Sequence, residues 1–510
     1  MHAKIILSSI LTLHPSHPRA SGVLVIENRV QALGSLGELL EFAPKAEVMD
    51  YRDFFLTPGL TDAHIHLVGY GFSLQYVKLE DTRTVLEAVS RVSERASRVA
   101  VGDWIFGNGF DRSLWGKIDY PTAHDLDGVS PNNPVALWSR DGHGLWCNSQ
   151  ALKISGITSS TPNPHGGVIM QDDRGEPTGI LLENAMDLMK RVFPISKLED
   201  VVAAAKLGAL DMAKRGFTCV HTMALEPIEY LHAMWELEAR GEMPLRVWAS
   251  ISHAHLEHLK NTGLRGGVGD RVKLCGVKFF ADGALGSRTA LMLENYLGFE
   301  DSGVQVDPKE TFLERGRLAL ELGFSPVVHA IGDRANREML DVLEALTPLA
   351  LAQNVRLRLE HAQHLHTDDI ARFGRLGIAV SVQPIHAPGD VQNINRLLGE
   401  TRGKTTFAFR SLLRSGAVLA LGSDAPVATP DPILGFQAAV NRFDLVGKPW
   451  NAEQALSRLE TLQGYTTGAA FAAGWEGWYG QVAPGFAADF TLWDKDPTLE
   501  DAKPVKVLIA

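Results

Sequence analysis

Two histidines, His64 and His66, close the run Phe-Leu-Thr-Pro-Gly-Leu-Thr-Asp-Ala-His-Ile-His. In an extended chain, residues i and i+2 point to one face. Both imidazoles can then reach one metal ion while Ile65 faces away. Four more potential ligands sit in or at the end of short apolar runs. Lys278 lies in Cys-Gly-Val-Lys-Phe-Phe, His329 ends Phe-Ser-Pro-Val-Val-His, His361 ends Arg-Leu-Arg-Leu-Glu-His, and Asp424 ends Ala-Val-Leu-Ala-Leu-Gly-Ser-Asp. Neutral imidazoles and carboxylates suit zinc or a similar divalent ion, one or two per chain. Lysine is the odd member, because an ammonium repels metal. It fits only if carbon dioxide converts its amine to a carbamate, an anionic oxygen ligand able to bridge two ions. Such a site lowers the pKa of a bound water to about 7. Asp424 is placed to take that water's proton and pass it to a leaving amine. The chemistry read from these residues is hydrolysis.

The same His-x-His spacing recurs at His253/His255 and His364/His366. The first pair reads, with His258, as a loop or helix face, and the second falls beyond its strand and outside the metal set. His386, in Gln-Pro-Ile-His, is a candidate substrate contact.

These residues need a scaffold that brings strand ends together. Their runs are bounded by Gly, Pro or charged turn residues and read as buried strands of a parallel sheet. Helix-like segments at 309–322, 334–346, 367–376 and 405–415 separate them. Alternating strands and helices over this length predict an α/β fold, a (β/α)8 TIM-type barrel, with ligands converging at the C-terminal ends of its strands. The remaining strands are placed at 217–222, 245–252 and 378–383. In the strand 356–361, Arg358 and Glu360 are expected to face the outer helices as a charged pair. About 150 residues separate the first two strands, far more than one helix needs. The segment 84–100 is assigned to the first barrel helix, from the spacing of Val85, Val89, Val92, Ala96 and Val99. The rest, 101–185, is expected to form an inserted subdomain over the barrel mouth. The barrel itself then takes 58–100 and 186–479.

Finer motifs carry a resemblance. They are Pro-Gly-Leu-Thr-Asp-Ala-His-Ile-His (58–66), Asp-Gly-His-Gly-Leu-Trp-Cys-Asn-Ser (141–149), Asp-Gly-Ala-Leu-Gly-Ser-Arg-Thr-Ala (282–290), Glu-His-Ala-Gln (360–363) and Gly-Ser-Asp-Ala-Pro-Val (422–427). Over nearly its whole length the chain resembles the amidohydrolase superfamily, in the branch of metal-dependent hydrolases related to N-substituted formamide deformylase. The resemblance implies a carbamylated Lys278 bridging two ions. It also implies that residues 1–57 and 480–510 join in a small β-sandwich beside the barrel. Two departures stand out: Gly144 where the family commonly has Ser, and an end at Val-Leu-Ile-Ala where relatives usually continue for one more short strand.

The expected function is hydrolysis of a non-peptide C–N bond, in an N-acyl, N-formyl or cyclic amide. An ester, lactone or carbamate would use the same site, and a non-catalytic amidohydrolase-like scaffold is the remaining alternative. His143 and Arg288 are candidates to stabilise an oxyanion or hold the substrate. Four of the chain's ten tryptophans, Trp104, Trp115, Trp138 and Trp146, lie in the expected insert. Trp146 is the candidate to line the pocket, the alternative being that these rings form the insert's own core.

Composition is consistent with a soluble enzyme. A chain of 510 residues is too long for one core. Its 45% hydrophobic and 21% charged residues are ordinary for a globular protein. A net charge of −11 argues against nucleic acid or an anionic membrane as partner. Cys147, Cys219 and Cys275 form no Cys-x-x-Cys, so no disulfide framework or thiolate site is expected, in keeping with a cytoplasmic location. The apolar run after Lys4 reads as a β-strand rather than a signal peptide. A hairpin follows, turning at Glu27-Asn28. The chain is expected to act on a small molecule, as a homo-oligomer, a dimer.

Overall fold

The computed structural model describes residues 3–112, 114–116, 120–139, 144–164, 167–194, 196–224, 227–499 and 501–509. Eight parallel strands make one sheet in sequence order: β1 (Leu60–Ile65), β2 (Phe217–Thr222), β3 (Arg246–Ser252), β4 (Val272–Phe280), β5 (Ser325–Ala330), β6 (Arg358–His361), β7 (Ala379–Val382) and β8 (Val418–Leu421). Backbone bonds beyond the end of β8 bring the last strand back to the first. Asp424 N–H donates to His64 O at 2.7 Å and His66 N–H to Ala425 O at 2.8 Å. Helices Leu198–Lys214, Lys309–Glu321, Asp333–Ala352, Thr367–Leu376 and Phe409–Arg414 alternate with the strands. This is a TIM-type barrel.

One expectation about the strands is reversed. Arg358 and Glu360 do not face the outer helices. They are wholly buried, and Arg358 donates to Ala63 O of β1 at 2.9 Å and lies over the Trp248 ring of β3 at 4.7 Å. Contacts on strands across the barrel place both side chains inside it. A period of two separates the faces of a strand without saying which face is inward. Charge alone pointed the wrong way, because the interior here supplies partners for both charges.

Both chain ends contribute to one six-stranded sheet, in the order Pro504–Leu508, Phe490–Trp493, Glu47–Pro58, Ala3–Leu11, Arg19–Ile26, Arg29–Leu33. Among the described residues the strands from both ends are hydrogen-bonded into one sheet, the region where the sandwich was expected. The hairpin turns at Glu27 and Asn28, with φ of 48° and 66°. Both values are positive, as a two-residue turn matching strand twist requires.

Residues Phe72–Asp200 form a second compact unit, larger than the 101–185 expected. It has its own six-stranded sheet, in the order Gly167–Gln171, Pro177–Glu183, Gly144–Cys147, Val135–Ser139, Ile105–Phe110, Val77–Lys78. The helix Val85–Ala96, assigned above to the barrel, belongs here. It buries Val85, Ala88 and Val92 against Ile105, Leu137 and Trp146. Its periodicity was sufficient to show a helix but could not say which sheet its apolar stripe would cover. Leu198–Lys214 is the helix that precedes β2.

Candidate metal centre

The C-terminal ends of the barrel strands bring the expected ligands together. Ligand nitrogens or oxygens of His64, His361 and Asp424 all lie within 4.8 Å of one another. His66 Nε2 is 3.2 Å and His64 Nε2 3.5 Å from Asp424 Oδ1. The His361 ring is centred 4.8 Å from that of His64 and 4.5 Å from that of His329. Lys278 is wholly buried on β4, within the fields of Glu360 and Asp424.

Hydrogen bonds on the far side of each imidazole select its tautomer. His64 Nδ1–H donates to Glu360 Oε2 at 2.6 Å, His66 Nδ1–H to Met223 O at 3.1 Å, and His361 Nδ1–H to Gln383 Oε1 at 2.8 Å. Each leaves the Nε2 lone pair for a metal. His329 is reversed: Nε2–H donates to Gly283 O at 3.1 Å, which leaves Nδ1. Burial, reinforced by the charge of Lys278, lowers His64 to about 4 and His329 to about 3. His361 is lowered as well, so these three are neutral at pH 7, the form that binds metal. The donor set therefore fits a divalent ion.

The backbone assists. His361 has φ +72°, Ala362 +43° and Asp424 +62°. These left-handed conformations are costly for residues with a side chain and collect at functional sites. An extended strand would send Glu360 and His361 to opposite faces. The left-handed turn at His361 swings its ring to the mouth, so both residues serve one centre.

Two buried carboxylates hold the loops around it. Asp62 accepts from the backbone N–H of His64 at 3.1 Å and of Ser423 at 3.0 Å, tying β1 to the loop that carries Asp424. Asp282 accepts from the N–H groups of Leu291 at 2.8 Å, Ile331 at 3.0 Å and Gly332 at 2.7 Å. It fixes the loop after β4 against the end of β5. Burial pushes each carboxyl up to about 7 while these donors pull it down.

The expected substrate residues divide. His386 Nε2–H donates to Ser423 O at 3.2 Å and lies 3.9 Å from Asp424 Oδ2, beside the centre. Arg288 stacks on Phe299 at 3.7 Å and stands 3.9 Å from Asp301, so its guanidinium serves its own loop. His143 lies outside the described residues. Trp146 is wholly buried in the core of the 72–200 unit, and its Nε1–H donates to Thr122 O at 2.8 Å. It does not line a pocket in this structure, because its ring is enclosed by Phe110 and Trp115. Trp115 shares that core, and Trp104 and Trp138 pack on the neighbouring one. Truncating Trp146 to Ala is expected to destabilise this unit by about 3–5 kcal/mol. Denaturant unfolding followed by fluorescence measures this; unchanged stability with a raised KM would return Trp146 to the substrate.

The decoy histidines are engaged elsewhere. His253 stacks on Phe279 and lies 3.3 Å from Asp307, and His364 Nδ1 bonds Thr406 Oγ1 at 3.0 Å. Sequence reasoning missed Glu360 and Gln383 as partners of ligand histidines. The signal available was a polar residue at the end of an otherwise apolar strand.

Residues 47–508 match the amidohydrolase family, and the chain belongs to it. It is 34% identical to YtcJ of Bacillus subtilis (strain 168), over 98% of this chain and 95% of that one. It is 30% identical to an N-substituted formamide deformylase of Arthrobacter pascens, over 97% of this chain and 93% of that one. Among solved structures, an uncharacterized metal-dependent hydrolase from Pyrococcus furiosus superposes with a TM-score of 0.82 at 30% identity, covering 97% of this chain and 100% of that one. The protein is a metal-dependent hydrolase. No helix among the described residues is long and apolar enough to cross a membrane.

The buried histidines set a pH dependence in protein stripped of metal. Histidine in the unfolded chain takes up protons below about pH 6.5. Folded His64 does so only near 4 and His329 near 3, and His221, His361 and His364 are lowered as well, all chiefly by burial. The unfolded state then binds more protons, so stability falls as pH drops from 6.5 towards 4. Asp62, Asp282, Asp333 and Asp390, raised by burial, act in the opposite sense, but these four carboxyls are outnumbered by the five histidines. Thermal melts of chelator-treated protein between pH 7.5 and 4.5 are expected to show a falling Tm; a flat profile would contradict the neutral, buried assignment.

Proposed function

We propose that this protein hydrolyses a non-peptide C–N bond in a small-molecule amide: an N-acyl, N-formyl or cyclic amide. Zinc, as one or two ions, would be held by His64, His66, His329, His361, Asp424 and Lys278. The observation that carries this reading is the convergence of His64, His361 and Asp424, with both of these imidazoles neutral and the remaining N–H of each already spent on another acceptor. When bound, the ions supply Lewis acidity and lower the pKa of water to about 7.

The chain's own residues do the rest. Asp424 accepts the proton of the attacking water and returns it to the departing nitrogen. Although burial raises its carboxyl, the neighbouring His64, His66 and His361 hold it well below the usual range, so the base form is present at neutral pH. Burial lowers the Lys278 amine to about 8, which leaves a usable neutral fraction near pH 7. Addition of that amine to carbon dioxide forms an N–C bond and releases one proton, giving an anionic carbamate. His386, with Nε2 3.9 Å from Asp424 Oδ2, is the substrate contact in this reading. His143 is the remaining oxyanion candidate.

Metal analysis combined with a hydrolysis screen tests this. Purified protein is expected to carry up to two divalent ions per chain, and His64→Asn with His66→Asn to lose at least one. Equal metal in the double variant would refute the site. In the screen, amides are expected to turn over and matched esters to be the weaker substrates. Turnover of esters or lactones alone would move the function to that class, which the same centre also serves.

A further inference from the structure

Beneath the metal centre the barrel holds a buried ionic layer that supplies no metal ligand. Arg358 and Glu360 of β6 are both fully buried. Arg358 Nε–H donates to Glu360 Oε1 at 3.0 Å, and Nη2–H donates to Ala63 O of β1 at 2.9 Å. Its Nη1–H donates to His221 Nδ1 of β2 at 3.0 Å. The guanidinium plane rests over Trp248 of β3 at 4.7 Å. One arginine thus cross-ties four strands of the barrel. The other oxygen of Glu360 accepts from His64 Nδ1–H at 2.6 Å.

Burying two charges in a barrel core is costly unless both are fully hydrogen-bonded, and apolar residues would fill the space as well. The partners of this pair are also specific. Arg358 holds Glu360 in place and is itself anchored on the backbone immediately before His64. Glu360 is turned so that its Oε2, which also accepts from Arg358 Nη2–H at 3.4 Å, meets the non-ligand nitrogen of His64. A carboxylate in that position orients the ring, selects the Nε2 lone pair for metal and raises its basicity.

We propose that Arg358 and Glu360 are positioning residues: a buried guanidinium–carboxylate pair that sets the tautomer and orientation of His64 for metal binding. This inference rests on the reading of the site as a divalent-metal centre. The non-ligand nitrogen of His64 hydrogen-bonds a carboxylate, whereas His66 and His329 donate to backbone carbonyls and His361 to an amide; His329 Nε2 also lies near a carboxylate oxygen of Asp282, but at 3.7 Å, beyond hydrogen-bond distance.

The test is zinc affinity, measured by competition with a chelating dye on the full-length protein. Glu360→Gln is expected to weaken zinc binding by about 10–100-fold. Arg358→Lys keeps the buried positive charge but loses the fork, and is expected to weaken it by less. A double-mutant cycle separates positioning from general damage. In a His64→Asn background, Glu360→Gln is expected to have little further effect on zinc affinity, because the ring it orients is gone. An equal loss in both backgrounds, or an affinity within threefold of wild type in folded Glu360→Gln, would overturn the proposal. If Glu360→Gln does not fold, Glu360→Asp takes its place in the cycle, with the same outcomes deciding. Absence of zinc binding by the wild-type protein would instead refute the metal-centre reading on which this one stands.

Discussion

Replacing Asp424 with Asn is expected to lower kcat by about 10²–10⁴-fold while leaving the fold and most of the bound metal intact. Asn keeps one oxygen in the place of Oδ1, near the ring nitrogens of His64 and His66. It cannot take a proton as a carboxylate does. The expected loss is therefore in kcat, with KM little changed, because the substrate's contacts are preserved. Metal analysis, circular dichroism and steady-state kinetics on one preparation decide the matter. Near wild-type turnover in a metal-replete variant would remove Asp424 from proton transfer and leave it a ligand only.

Lys278→Ala is expected to bring activity below detection and to release metal. Alanine at this position leaves a gap near the C-terminal end of β4 and removes a positive charge from the fields of Glu360 and Asp424, of which Glu360 keeps Arg358 as a partner. If the lysine acts as a carbamate, the missing group is a small anionic oxygen donor. Formate or acetate is then expected to restore part of both metal content and turnover in the alanine variant. Lys278→Arg, which keeps a positive charge and cannot form the carbamate, is expected to stay inactive in the same solutions. Metal retained at wild-type levels in Lys278→Ala would show that the lysine is not a ligand in any form.

The candidate ligands could be picked out because they depend on local rules. His64 and His66 share a face through the period of a strand, and His329, His361 and Asp424 each end an apolar run that predicts a buried strand. The alternation of such runs with helical segments was sufficient for a parallel barrel, and a parallel barrel places strand ends at one mouth. Only the tertiary structure decided what lies behind those ligands. The inward direction of Arg358 and Glu360 depends on Ala63, His221 and Trp248, which are contributed by strands more than a hundred residues away. A charged pair is stable inside only where such partners wait, and no local pattern reveals them.

The left-handed backbone at His361 and Asp424 was equally hidden, since neither residue type requires it; the loops packed around the mouth impose it. The helix Val85–Ala96 was readable as a helix, but its allegiance to the sheet of the 72–200 unit was not, because an apolar stripe fits any apolar surface of the right shape. Trp146 was singled out by its place in a motif, and burial gave it to the core of that unit. Residue types and their spacing thus determined the fold class and the candidate residues of the centre. Long-range packing decided the orientation, tautomer and partners of each group, because these depend on contacts between segments that are neighbours only once the chain has folded.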